Sequence, residues 1–171
     1  MTLVVPYDGS DLSKAALVRA AQFDTLLEEG VIAVTIVPRE NAEYARDRGW
    51  IEAGEPFDAA TVSTRLERAV SELAPGARHE TVFVDRSAQI GTVAVRLRKF
   101  AIEHDASIVF LGSENAGRIA SSISVGQTVA ADRGFDTLIV SHVSPTHVDK
   151  FRETGVSLDP ADDRRSAERG R

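Results

Sequence analysis

Five short apolar runs, separated by stretches with helical spacing, constrain this chain more than any other feature. The runs are Leu3–Tyr7, Val31–Val37, Glu80–Val84, Ser107–Leu111 and Thr137–Ser141. Runs this short and rich in β-branched residues read as strands, and the second reads as buried on both faces. After the first, Leu12, Ala15, Ala16, Ala20, Phe23, Leu26 and Leu27 recur at helical spacing until Gly30, which is expected to stop the helix. Asp58 is a good N-cap for a helix whose buried stripe is Val62, Leu66, Ala69, Val70 and Leu73, ended by Pro75-Gly76. A further helix is expected from about Ser87 to His104, burying Ile90, Val93, Ala94, Leu97 and Ala101, and another around Val125 to Asp132. The third run alternates more, as a sheet edge does. Regular β-α alternation predicts an α/β fold, an open five-stranded parallel sheet with helices on both faces, Rossmann-like.

Residues 38–56 break the rhythm. Charged residues surround Tyr44, Trp50 and Ile51, and Gly49, Gly54 and Pro56 interrupt any long helix. The expectation is a mobile flap carrying a short helix near Ala42 to Arg48. From Pro145 onward six basic residues face six acidic ones with few apolar residues between them. The chain therefore divides into a domain over 1–144 and a charged tail over 145–171, expected to be disordered.

The tail is neutral, so the net charge of −6 belongs to the body. A negative body repels nucleic-acid phosphates and anionic membranes at long range. No apolar run approaches the roughly 18 residues of a membrane span. The opening Met1-Thr2-Leu3-Val4-Val5-Pro6 has no basic region ahead of its apolar stretch, so it reads as a strand and not as a signal peptide. There are no cysteines, which excludes disulfides, thiolate metal sites and a cysteine nucleophile. A cytoplasmic protein with neither nucleic-acid nor membrane partners is the expectation.

In open parallel sheets, ligands bind beyond the carboxyl ends of the strands, where the strand order reverses. The loop after the first strand carries Asp8, Gly9 and Ser10. The loop after the fourth carries Gly112, Ser113, Asn115 and Gly117. Further on, Ser121, Ser122, Ser124, Gly126, Gln127 and Thr128 precede or open a helix. Small residues let a ligand approach the backbone, and a helix start offers unpaired N–H groups to phosphate. Gly126, Gln127 and Thr128 are thus candidate phosphate contacts, with Arg118 nearby. Ordinary turn and capping chemistry would use the same residue types, and Asp8 serves equally as a helix cap.

Three segments carry a resemblance. Leu3-Val4-Val5-Pro6-Tyr7-Asp8-Gly9-Ser10, followed by Ser13 and Ala15-Ala16-Leu17, resembles the opening of universal stress proteins. Asp105 to Ser113 resembles their fourth strand with its Gly-Ser exit, and Val125-Gly126-Gln127-Thr128-Val129-Ala130 the start of their last helix. The resemblance covers residues 1 to about 142. It implies strand order 3-2-1-4-5 and a homodimer paired through the fifth strands. Many members bind ATP through G-x-x-G, nine residues, then G-Ser/Thr. In this chain Asn115 stands at the second glycine, Gly117 follows two places on, and ten residues separate Asn115 from Gly126. Gln127 occupies the Ser/Thr position, with Thr128 next. By the same resemblance Pro6, Tyr7 and Asp8 line the adenosine side, and Val37 meets adenine through its backbone. Gly112, Ser113, Gly117, Gly126, Gln127 and Thr128 lie near the phosphates. The implied function is adenine-nucleotide (ATP) binding, with Mg²⁺, in a stress-response domain without assigned catalysis. Two alternatives share the fold: a dimeric interaction module that binds no nucleotide, and a slow ATPase using Glu114.

Other chemistries on related sheets find less support. PP-loop ATP chemistry needs Ser-Gly-Gly-x-Asp-Ser where Asp8-Gly9-Ser10-Asp11 stands, and the HxGH signature is absent. A phosphoacceptor domain needs adjacent carboxylates after the first strand and a lysine after the fifth. Asp8 and Asp85 fit two of its places, but Ser141-His142 replaces the lysine. His79, His104, His142 and His147 lack metal-ligand spacing and read as surface or strand-end residues.

Overall fold

The structure, a computed structural model, describes residues 1–88, 90–112 and 134–143. The elements run β1 (Thr2–Pro6), α1 (Asp11–Leu27), β2 (Val31–Pro38), α2 (Ala42–Asp47), α3 (Ala59–Leu73), β3 (Arg78–Val84), α4 (Ile90–Glu103), β4 (Ala106–Gly112) and β5 (Asp136–Val140). Among the described residues the five strands form one parallel sheet in the order β3-β2-β1-β4-β5. The helix expected around Val125 to Asp132 and the tail over 145–171 lie outside the described residues.

Alternation along each strand divides the core into two layers. Leu3 and Val5 of β1, with Val31, Ala33 and Val37 of β2, face Ala16, Leu17 and Ala20 of α1 and Val62, Leu66 and Val70 of α3. Val4, Ile32, Val34 and Ile36 face the other way, against Ala94, Leu97, Phe100 and Ala101 of α4. Every residue of β2 is buried, as its unbroken β-branched run requires when both faces are covered. Phe23 meets Phe110 edge-on with centroids 5.3 Å apart, closing α1 onto β4.

Several boundaries differ from expectation for local reasons. Glu28, not Gly30, is the left-handed residue that ends α1, its N–H donating to the Asp24 carbonyl. The Asp24 carboxylate then accepts from the Gly30 N–H at 2.7 Å. Leu26 and Leu27 end the helix exposed, beyond the reach of the sheet. Leu73 is also exposed, at 38%, because it occupies the last turn of α3 while Ala74 takes the buried place. Asp58 does cap α3, accepting from the Thr61 N–H at 2.7 Å. In α4, Phe100 supplies core volume that the expected stripe of small aliphatics lacked.

The 38–56 segment departs most. It is not a loose flap. Ala45, Trp50 and Ile51 are buried in the same layer as α1 and α3. Arg65 of α3 grips it from outside, donating to the Trp50 carbonyl at 3.1 Å and to both Glu55 carboxylate oxygens at 2.8 and 2.9 Å. Asn41 caps α2 through the Tyr44 N–H and donates to the Arg86 carbonyl beyond β3. Residues 38–56 are therefore a strap, fastened at both ends.

Candidate functional site

The order β3-β2-β1-β4-β5 reverses direction between β1 and β4, since β2 and β3 extend the sheet on one side and β5 on the other. A crevice opens at such a reversal because successive loops leave toward opposite faces. The carboxyl ends of β1 and β4 are Pro6 and Gly112.

The turn after β1 is fixed by its own polar groups. The Asp8 carboxylate accepts from the Ser10 N–H at 3.0 Å, an Asx turn. Ser10 is the N-cap of α1, accepting from the Ser13 N–H at 3.2 Å. Ser13 is fully buried; its hydroxyl donates to the Ser10 carbonyl and accepts from the Asp8 N–H. Ser10 and not Asp8 is thus the helix cap, and Asp8 fixes the turn ahead of it. Gly9 has φ +84°, a conformation side chains resist, and a Cβ there would lie 3.7 Å from the Trp50 indole nitrogen.

Gly112 brings the end of β4 close to the first turn of α1. A Cβ on Gly112 would sit 3.0 Å from the Leu12 carbonyl carbon and Cβ, in the first turn of α1. The end of β4 therefore abuts the helix that the Asp8 turn initiates. Pro6, Tyr7, Asp8, Val37 and Gly112 all come to one rim of the sheet, at or just past the ends of β1, β2 and β4. Among these five only Asp8 keeps a partly exposed side chain. Tyr7 is buried, and its phenol pKa is raised first by desolvation and then by the Asp8 charge. The Val37 side chain belongs to the core, which leaves only its backbone for any ligand. Ser113, Gly117, Gly126, Gln127 and Thr128, with Arg118, lie outside the described residues.

Four residues linked to the Asp8 turn, directly or through one another, carried no functional reading in the sequence. Trp50, only 5% exposed, donates its indole N–H to the Asp8 carbonyl at 2.9 Å. The strap is thereby latched to the β1–α1 turn. Arg48 follows α2 and stacks its guanidinium on the Tyr44 ring, 3.5 Å from the centroid. Thr35, buried in β2, donates its hydroxyl to the Tyr7 carbonyl at 2.7 Å. The Thr35 oxygen also lies 3.0 Å from His79 Nε2. Because its proton is committed to Tyr7, His79 must supply the other, which assigns the Nε2–H tautomer. Burial lowers the His79 pKa to about 4, so the ring is neutral at pH 7. The one signal in sequence was a Trp-Ile pair amid charges, a pattern that burial explains better than mobility.

Among the described residues no group of three His, Cys, Asp or Glu side chains is placed to hold a metal ion, and no helix is long and apolar enough to cross a membrane.

The universal stress protein family model matches residues 1–141. No curated protein matches the chain. Among solved structures, a universal stress protein in complex with cAMP is 26% identical, with TM-score 0.53, over 84% of this chain and 98% of that one. The universal stress protein from Archaeoglobus fulgidus in complex with dAMP is 17% identical, with TM-score 0.50, over 82% and 96%. A member of the same family from Burkholderia pseudomallei has the same identity, TM-score and coverage.

Proposed function

The chain belongs to the universal stress protein family, and from that premise we propose that it is a stress-response domain binding an adenine nucleotide between the ends of β1 and β4. The observation that carries this reading is the approach of Gly112 to Leu12, because it sets the Asp8 turn beside the exit of β4 at the reversal of strand order. A similar protein was solved with cAMP, which supports the ligand class.

In this reading Asp8 accepts from ribose hydroxyls, and the backbone near Pro6, Tyr7 and Val37 frames the base. Gly112, Ser113, Gly117, Gly126, Gln127 and Thr128 surround the phosphates. ATP is the ligand of the resemblance, and Mg²⁺ would enter with its phosphates. The function assigned is binding; no residue is assigned a catalytic step. β5 is an edge of the sheet, with Ile139 57% exposed, and we propose that it pairs with β5 of a second copy.

Mass spectrometry of small molecules released on denaturing freshly purified protein tests the reading first. Calorimetry with AMP and ATP tests the placement. Asp8→Asn keeps an acceptor for the Ser10 N–H but loses the charge, and should weaken nucleotide about fivefold to tenfold. Gly126→Asp should also weaken binding, by bringing a carboxylate to the phosphates. Unchanged affinity in both variants would refute the placement.

A further inference from the structure

Arg48 is stored in an unusual way. Its guanidinium lies on the face of Tyr44, 3.5 Å from the centroid, and 5.8 Å from the centroid of Trp50. The two rings meet edge-on, 5.7 Å apart, and form an open corner around the cation. Aromatic faces attract such a cation, so the corner favours holding it. The cost is visible at Nε, which is buried with no hydrogen-bond partner among the described residues. A buried donor left unmade is unfavourable, and more so on a charged group.

The backbone of Arg48 stands at the candidate site. Its carbonyl oxygen lies 4.0 Å from the position a Cβ would take on Gly9. Gly9 is in the turn whose carbonyl at Asp8 receives the Trp50 N–H. The root of this long side chain therefore adjoins the Asp8 turn. The strap itself stays fastened through Trp50 to Asp8 and through Arg65 to the Trp50 carbonyl.

We propose that Arg48 is a phosphate-binding arm of the nucleotide site, exchanging its place on Tyr44 and Trp50 for the phosphate. This rests on the nucleotide reading above and adds to it the residue that recognises the phosphate. A phosphate offers the planar donor fork two acceptor oxygens and relieves the unpaired Nε. The arm would add a cation at the rim for the anion to meet. Trp50 is the single tryptophan, so departure of the cation from its neighbourhood should alter its fluorescence.

The test compares AMP with adenosine, which lacks the phosphate, on wild-type protein and Arg48→Gln. Arg48→Gln should bind AMP about tenfold or more weakly and adenosine within about twofold of wild type. AMP should change Trp50 emission in the wild type more than adenosine does, and that difference should vanish in Arg48→Gln. Arg48→Lys, which keeps the charge but not the fork, should recover part of the AMP affinity. If Arg48→Gln weakens both ligands equally, or neither, the arm is refuted while the nucleotide site stands. If the wild type binds neither ligand, the nucleotide reading fails and takes the arm with it.

Discussion

The residue that joins structure to acid response is His79. It sits half-buried on β3, neutral, with Nε2–H directed at Thr35, whose hydroxyl in turn holds the Tyr7 carbonyl next to Asp8. Its pKa falls from the ordinary 6.5 to about 4 through desolvation. The folded state thus binds fewer protons than the unfolded chain between these values. The stability it confers is complete above about pH 6.5 and is lost as pH falls toward 4. The shift itself corresponds to at most about 3 kcal/mol, and residual solvent access brings this to about 1–2 kcal/mol. Denaturant unfolding at pH 7 and pH 4.5 should show wild type losing more stability than His79→Phe; equal losses would contradict the assignment. Thr35→Val removes both hydrogen bonds while keeping the shape, and should cost about 1–3 kcal/mol in the same measurement. Asp8, Gly9 and Ser10 were legible in the sequence because turn chemistry is local. Thr35 and His79 were not, because 44 positions separate them and the pairing of β2 with β3 brings them together.

Among the elements, strands and caps could be read directly, since period and capping residues act within a few positions. Asp58 caps the helix that its position suggested, whereas Ser10 takes the cap of α1 for which Asp8 was the candidate. The strap could not be read this way. Gly49, Gly54 and its many charges resemble a solvated loop, whereas its order comes from Trp50 and Ile51 entering a core assembled elsewhere. Arg65 should therefore matter more than an exposed ion pair usually does, because it also holds the Trp50 carbonyl. Arg65→Ala should loosen the strap, seen as faster amide exchange over residues 50–55 with little change in β1. Unaltered exchange there would show that burial of Trp50 suffices alone. At the opposite edge, Ile139→Lys on β5 should shift the protein from dimer to monomer in light scattering at micromolar concentration. A wild type that is already monomeric would refute the β5 pairing.

At the scale of the molecule, regular β-α alternation dictated the sheet, and the family resemblance supplied its order, 3-2-1-4-5, which the strand pairings match. The site was half legible. The rim of β1 and β4 follows from the topology, and the contact of Gly112 with Leu12 gives it a physical basis. The roles of Trp50 and Arg48 depend on how the strap folds back across that rim, which no spacing rule encodes. The central proposal is an adenine nucleotide at the rim between β1 and β4. An amide NMR titration of ¹⁵N-labelled protein with AMP tests this most directly. The prediction is that the largest saturable shifts fall on Asp8, Gly9, Ser10 and Gly112, with the Trp50 indole N–H moving alongside them. Saturable shifts confined to another part of the molecule, or none at millimolar AMP, would contradict it.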